Sequence, residues 1–291
     1  MELFNKRFIQ NGMLDFLIEE RSRGRIRHLG WSFHGDIEVF NRVLEMHDRI
    51  HWDFVQIQHN YVDWRHASAY NADWQKAMGD DTNAEYLYEE LAERDIPVVV
   101  MEPLLGGRLA SVTQNVLAQM KQKRQEDSAA AWAFRFAGSF PKVLTVLSGM
   151  TYKEHLDDNL RTFSPLVPLS DEESKFLENV AESMKDSQNI PCTDCKYCMP
   201  CPYGIDIPGI FLHYNKCVNH GNISKSSLDV NYEKARRAFL IGYDRSVPKL
   251  RQADHCIGCG QCISRCPQGI SIPLQMRRID DYVEKLRQRK S

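Results

Sequence analysis

Two cysteine-rich runs constrain this chain more than any other feature. The first reads Cys192-Thr-Asp-Cys195-Lys-Tyr-Cys198-Met-Pro-Cys201-Pro202. The second reads Cys256-Ile-Gly-Cys259-Gly-Gln-Cys262-Ile-Ser-Arg-Cys266-Pro267. Their first three cysteines are offset by 64 positions and their fourth by 65, so the first run is the second with one residue removed before its last cysteine. The tails match too, Cys201-Pro-Tyr-Gly-Ile-Asp-Ile-Pro208 against Cys266-Pro-Gln-Gly-Ile-Ser-Ile-Pro273. This is an internal repeat. Three cysteines two residues apart let a tight loop wrap one side of a compact inorganic body, and the intervening N–H groups then stabilise the thiolate charge. Gly258 and Gly260 give that loop its unusual dihedrals. Pro202 and Pro267 restrict the backbone just after the fourth cysteine.

The second run is the C-x2-C-x2-C-x3-C-P pattern that holds iron–sulfur clusters in bacterial ferredoxins, where the fourth cysteine of each run ligates the other cluster. Two [4Fe–4S] clusters are therefore expected. Cys192, Cys195 and Cys198 would share one with Cys266, and Cys256, Cys259 and Cys262 the other with Cys201. Zinc and a decayed motif are the competing readings, but a zinc ribbon uses separated pairs and not a triple followed by Cys-Pro. Disulfides would require an oxidising compartment. Cys217 stands alone in a helical pattern and reads as a small buried hydrophobe.

The 291 residues allow one large domain or two smaller ones. No apolar run approaches the roughly 18 residues of a membrane span, and the charged start lacks the apolar centre of a signal peptide. The expectation is a cytoplasmic protein in a reducing setting, with no membrane partner. From Ser183 onward 17 Lys and Arg face 10 Asp and Glu, whereas the rest of the chain carries 20 against 29. Thiolate-bound clusters are negative, so basic surroundings offset them, and no nucleic-acid partner is expected. Arg21, Arg23, Arg25 and Arg27 read as an exposed helix-to-strand turn, and Lys285, Arg287, Arg289 and Lys290 as a solvated helix end.

Ahead of the cysteines, helix and strand alternate. Strands are expected at His28–His34, Phe54–Gln58, Ile96–Met101 and Val143–Leu147. Helices are expected from Leu14, over Ile37–Met46 with Asp36 as N-cap, over Asn83–Arg94 and Ser128–Ala137, through Leu160, and from a capping box at Ser170 through Met184. A polar and aromatic connection holding Trp64, His66, Tyr70 and Trp74 has the length of a functional loop. Four strands each followed by a helix imply parallel β/α units. Helical periodicity over Ile210–Val218 and Leu228–Ile241, between the cysteine runs, points to an all-α ferredoxin-type domain. The expected division is 1–182 for the β/α part and 183–291 for the two-cluster domain.

The β/α part resembles the second half of the aldo-keto reductases. The carrying segments are Arg25-Ile-Arg-His-Leu-Gly-Trp-Ser32, Val55-Gln-Ile-Gln-His-Asn60, Pro97-Val-Val-Val-Met-Glu-Pro-Leu-Leu-Gly-Gly107 and Ser148-Gly-Met-Thr-Tyr-Lys-Glu-His-Leu-Asp-Asp-Asn-Leu160. They run in order from about Leu14 to Phe163, and with the cysteine domain the whole resembles the ferredoxin-fused branch of that family. The resemblance implies the last four units of a (β/α)8 barrel and an NAD(P)H site. Ser32 and Gln56 match positions that bond the nicotinamide carboxamide, Asn159 a position near the adenine, and Asp158 its acidic neighbour. The chain departs from the family at Phe33, where many members have Asn, at Met101, where an aromatic ring often stacks on nicotinamide, and at His155, where some members have Arg. Glu102, His34 and His59 follow strands and are weaker acid–base candidates.

In that family the catalytic Asp, Tyr, Lys and His lie on the first four strands, which have no counterpart here, so no catalytic residue is assigned. A full barrel takes about 250 residues. The expectation is a fragment of a longer protein, or a half-barrel that pairs with the N-terminal half of a barrel or with its own copy. As given, the chain is expected not to reduce carbonyls. The implied function is an iron–sulfur oxidoreductase component that serves a redox partner. The alternative is a non-catalytic electron-transfer or scaffold protein. Nicotinamide moves a hydride and a cubane one electron, and no flavin motif is present to couple the two.

Overall fold

A computed structural model describes residues 2–35, 37–67, 83–185, 188–224 and 226–288. Asp36, Tyr70, Trp74, Arg289 and Lys290 lie outside the described residues. In chain order the strands are β1 (Gly30–Ser32), β2 (Phe54–Gln58), β3 (Val98–Met101) and β4 (Val143–Val146). The longer helices are α1 (Met13–Ser22), α2 (Ile37–Leu44), α3 (Ala84–Glu93), α4 (Gln114–Lys123), α5 (Ala129–Gly138), α6 (Lys153–Phe163), α7 (Asp171–Lys185), α8 (Ile207–Asn219), α9 (Tyr232–Ser246) and α10 (Ile272–Arg287). Among the described residues no helix is long and apolar enough to cross a membrane. Two compact units form, one from Met1–Leu104 with Ala131–Lys185, the other from Leu105–Ala130 with Asp186–Ser291.

The first unit holds a four-stranded parallel sheet in the order β1-β2-β3-β4. The expected strands all form: β2 has its expected bounds, and the other three are shorter than their apolar runs. Alternation in β2 sorts its side chains: Val55 and Ile57 are fully buried, while Phe54, Gln56 and Gln58 are only half-buried. Val55 and Ile57 join Phe33, Val98 and Val100 under Phe40 and Leu44 of α2 and Leu87 and Leu91 of α3. Helix α3 buries Ala84, Leu87, Tyr88 and Leu91, the spacing of one helical face. Burying side chains of this size contributes about 1.5–3 kcal/mol each. The opposite sheet face is only partly covered: Val99 is buried, Gln56, Gln58 and Met101 are half-buried, and Ser32 and Thr145 are exposed.

A second small core joins Leu14, Leu29, Val43, Ile50 and Trp52. Arg21 is tied to it: its side chain donates to the Ile50 and His51 carbonyls and pairs with Asp53 at 3.3 Å. Arg23 and Arg25 pair with Glu19 and Glu20. Three of the four arginines of the basic turn are thus in ion pairs. The capping box forms as expected: the Glu173 carboxylate accepts from Ser170 N–H at 2.9 Å, and Ser170 Oγ accepts from Glu173 N–H at 3.2 Å.

The second unit is helical. Ile207, Ile210, Phe211 and Tyr214 of α8 pack with Phe239 and Tyr243 of α9 and with Ile272, Met276, Ile279, Val283 and Leu286 of α10. Segment 105–130 belongs to this unit, although the alternating β/α pattern runs through it. Its Gly106 lies so close to Thr193 that an added Cβ would stand 2.2 Å from the Thr193 Cα. Its Ser111 carbonyl accepts from Asn219 Nδ2.

Candidate functional site

In the second unit the sequence repeat is also a backbone repeat. Asp194 and Lys196 in the first loop are left-handed, with φ of +53° and +65°, and Gly258 and Gly260 hold the equivalent places with φ of +74°. Met199 N–H bonds the Lys196 carbonyl at 2.9 Å, as Ile263 N–H bonds Gly260 at 3.0 Å. After the fourth cysteine, Gly204 N–H returns to the Cys201 carbonyl at 2.9 Å and Gly269 N–H to Cys266 at 3.1 Å. Both tails then enter a helix with Pro208 or Pro273 in its first turn, where a missing N–H costs nothing. Each run therefore delivers a loop of three cysteines and, one turn later, a fourth cysteine pinned to a helix start.

These loops bring the cysteines together in two sets. Cys192, Cys195, Cys198 and Cys266 line one pocket, walled by Ile207, Pro208, Phe211, Ile270 and Ile272. Burial first, and the nearby Cys198 and Cys266 after it, push the Cys192 thiol up to about 12. Burial with Cys195 and Cys266 pushes Cys198 up to about 11. Cys262 is raised by burial and by the proximity of Cys256, Cys259 and Cys201. Such thiols ionise only when a cation compensates them, and a thiolate set of this kind fits iron. Backbone donors are in place: Asp194 N–H reaches Cys192, and the N–H groups of Gln268, Gly269 and Ile270 reach Cys266. Among the described residues no three His, Cys, Asp or Glu side chains close on a point as ligands of a single ion do. The four sulfurs line a space instead.

Cys217 is 4% exposed inside α8, with its Sγ 3.5 Å from His213 Nε2. It packs in the helical core and belongs to neither cysteine set.

In the first unit, Ser32 and Gln56 are directly paired in the β1–β2 register. Gln56 Nε2 donates to Ser32 Oγ at 3.3 Å and lies 3.3 Å from Met101 Sδ. The three side chains thus meet on the sheet face away from α2 and α3. Asp158 and Asn159 sit elsewhere, on α6 after β4. Asn159 Nδ2 donates to Ser148 Oγ at 2.8 Å, and Asp158 pairs with Arg161 at 2.9 Å. His155 Nδ1 accepts from Thr151 N–H at 3.2 Å.

A second polar group stands at the C-terminal ends of β1 and β2, where parallel sheets place their sites. Gln58 Nε2 and Asn60 Nδ2 both donate to the Asp63 carboxylate. Asn60 Nδ2 also donates to the Glu102 carbonyl at 3.1 Å. His34 bonds Gln58 and is exposed on one side, and desolvation by its neighbours lowers its pKa against the pull of Asp63. A neutral imidazole beside a carboxylate can accept a proton. The sequence reading picked out His34 but passed over Gln58, Asn60 and Asp63, whose signal was their place just after a strand. His59 takes no part: it is fully buried among Trp64, Phe136, Phe140 and Tyr88, on the helix side of the sheet.

Comparison with known proteins follows this division. The model of the aldo/keto reductase family matches residues 9–182, and that of the 4Fe-4S dicluster domain matches residues 191–270. No curated protein matches the chain. Among solved structures, the aldo-keto reductase AKR11C1 from Bacillus halodurans is similar in its holo and apo forms, at 17% identity and TM-scores of 0.41 and 0.42. The match covers 59% of this chain and 56% or 57% of that one, so the chain spans little more than half the length of these relatives. With the reductase model matching more than half of its residues, and an iron–sulfur domain following in the same polypeptide, the chain belongs to the aldo/keto reductase family.

Proposed function

We propose that the chain is the electron-transferring part of an iron–sulfur oxidoreductase, with two [4Fe–4S] clusters held in crossed fashion. Cys192, Cys195, Cys198 and Cys266 hold one. Cys256, Cys259, Cys262 and Cys201 hold the other. The single observation that carries this reading is the pocket lined by three cysteines of the first run and the fourth of the second. A bound cluster supplies one electron at a time. The chain's own part is to direct backbone N–H groups at the sulfurs, to wall one set with Ile207, Phe211 and Ile272, and to leave Cys259 exposed on the other. Burial, N–H donors and solvent exposure set the potential of each site.

In this reading residues 1–182 supply the last four units of a (β/α)8 barrel, with 105–130 packed into the second unit, and 183–291 the cluster domain. Four parallel strands in sequential order, with Ser32 and Thr145 exposed on the face away from α2 and α3, support it. That face would take the N-terminal half of a barrel or a second copy. NAD(P)H would lie against Ser32 and Gln56, with Asp158 and Asn159 toward the adenine. A second reading, in which the barrel half is a scaffold without catalysis, is favoured by one contact: Gln56 already satisfies Ser32 and touches Met101. A reducing cytoplasmic setting suits either.

Anaerobic preparation with iron, sulfide and zinc analysis tests the main reading. About eight iron and eight sulfide per chain are expected; zinc without sulfide would sink it. NADPH titration of the wild type against Ser32→Ala and Gln56→Ala separates the two readings of the barrel half. Saturable binding lost in both variants supports the cofactor site, and no binding to the wild type supports the scaffold.

A further inference from the structure

A groove runs between α8 and α9 in the second unit. One part is lined by Lys234, Arg237, Ile241 and Arg245 on the outer face of α9. The other is lined by Leu212, Lys216 and His220 on α8. Both parts include Ala238 and Gly242, so they form one continuous groove. Its floor is low because α9 carries glycine where it crosses α8: a Cβ at Gly242 would stand 2.5 Å from His213 Cε1.

The charge of the groove is one-sided. Lys216, Lys234, Arg237 and Arg245 are all exposed, and among the described residues none is in an ion pair. The one acid in the lining, Glu233, is engaged with Arg236 at 3.7 Å. Elsewhere, Arg23, Arg42, Arg94 and Arg161 are exposed but each is paired with a carboxylate on its own helix or turn. Between the cations stand two apolar side chains, Leu212 at 61% and Ile241 at 45% exposure. An apolar centre within a polar rim marks a surface that meets another protein.

We propose that this groove docks a small acidic one-electron carrier protein. The inference rests on the two-cluster reading above. Lys234 and Arg245 are eleven residues apart on one helix, about 16 Å at the helical rise. A single small anion spans only a fraction of that length. A nucleic acid strand would set phosphates against Leu212 and Ile241. An acidic protein segment with an apolar residue at its centre matches both the charge and the apolar pair, in the helix-in-groove manner. The location suits electron transfer. Pro208 and Phe211 of α8 line the pocket of Cys192, Cys195, Cys198 and Cys266, while Gly209 and Leu212 of the same turn line the groove. One helix, about 10–12 Å across, separates docked protein from that cysteine set.

The test uses anaerobically prepared full chain and an acidic plant-type [2Fe–2S] ferredoxin as probe, with basic cytochrome c and a single-stranded oligonucleotide as controls. Calorimetry at low and high salt should give binding to the ferredoxin that weakens as salt rises. Lys234→Glu combined with Arg237→Glu should raise its Kd about tenfold or more, whereas Arg277→Glu, outside the groove, should leave it unchanged. Equal binding of cytochrome c, displacement by the oligonucleotide, or wild-type affinity in the groove variant would overturn the proposal. So would a dimer of the chain that dissociates in that variant, since the groove would then belong to a second copy. Iron is assayed on the same samples. A chain with about eight iron atoms that ignores the ferredoxin loses the docking site and keeps its clusters. A chain without iron loses the two-cluster reading and this inference with it.

Discussion

Asp194 and Gly258 hold the same left-handed backbone conformation at equivalent places in the two cysteine loops, with φ of +53° and +74°. Lys196 and Gly260 repeat the relationship two residues on, at +65° and +74°. One loop thus uses glycine where the other uses residues with a Cβ. A non-glycine residue in this region costs about 1–2 kcal/mol, partly relieved for aspartate, whose short polar side chain bonds locally. Lysine has no such relief. Lys196 is exposed and its ion pair with Asp194 is long, at 3.7 Å, so its removal loses little. Lys196→Gly should raise the temperature of cluster loss, and Gly260→Ala should lower it by a comparable margin. Bleaching of the cluster absorbance during heating measures both. Opposite signs would show that these backbone angles change when iron is bound.

The crossed pairing makes a prediction about single substitutions. Cys266→Ser and Cys198→Ser, 68 positions apart, should remove the same cluster. Cys201→Ser and Cys262→Ser should remove the other. Each should lower iron from about eight to about four per chain, and the reduced samples should give two electron-paramagnetic-resonance spectra, shared within each pair. Sharing by run, with Cys201→Ser resembling Cys198→Ser, would show uncrossed ligation. Cys217→Ser should leave iron unchanged.

Stripping the iron should unfold the second unit and spare the first. Cys192, Cys198, Cys201, Cys256, Cys262 and Cys266 all pack against the helical core, so the clusters complete that core and their binding energy is folding energy. Segment 105–130 should be released along with it, because its anchors are Thr193 beside Cys192 and Asn219 at the end of α8. New tryptic sites are expected at Arg108, Lys121 and Lys123. The five tryptophans, at 31, 52, 64, 74 and 132, all lie in the sequence of the first unit. Their emission wavelength should stay put while far-ultraviolet helicity falls. A red shift of that emission would mean that the two units unfold as one.

What the sequence made legible was local. Alternation of Val55 and Ile57 with Gln56 and Gln58 marked β2 and its two faces, and Ser170 with Glu173 marked the start of α7. Gly258 and Gly260 announced their dihedrals, but Asp194 and Lys196 did not, because nothing in an aspartate or a lysine signals a left-handed angle. Helix α4 went unread because Met120 is its one buried residue, which leaves almost no periodic stripe. The approach of Gly106 to Thr193 spans 87 positions, beyond any local pattern. Ser32 and Gln56 were named through resemblance to a family. Only the structure put Met101 against Gln56.

His59 sets the acid limit of the first unit. It is fully buried, and neither ring nitrogen has a hydrogen-bond partner among the described residues. Phe136 stacks on its ring at 5.5 Å, and Phe140 meets it edge-on at 4.6 Å. Burial holds its pKa down to about 3, against 6.5 for a free imidazole. Above about pH 6.5 the ring is neutral in both folded and unfolded chains, and it gives stability no pH dependence. Below that value the unfolded chain binds a proton that the folded chain refuses. Stability therefore falls as pH drops from about 6.5 toward 3, with a slope approaching about 1.4 kcal/mol per pH unit. His59→Phe and His59→Leu remove that proton. Their absolute stabilities will differ, because one overfills the site and the other leaves space, so the slope is the informative quantity. Urea unfolding followed by tryptophan emission between pH 4 and 7 should show both variants losing stability less steeply than the wild type, by up to one proton's worth. An unchanged slope in both would mean that His59 is protonated in the folded chain, and that the aromatic cage opens to water in acid.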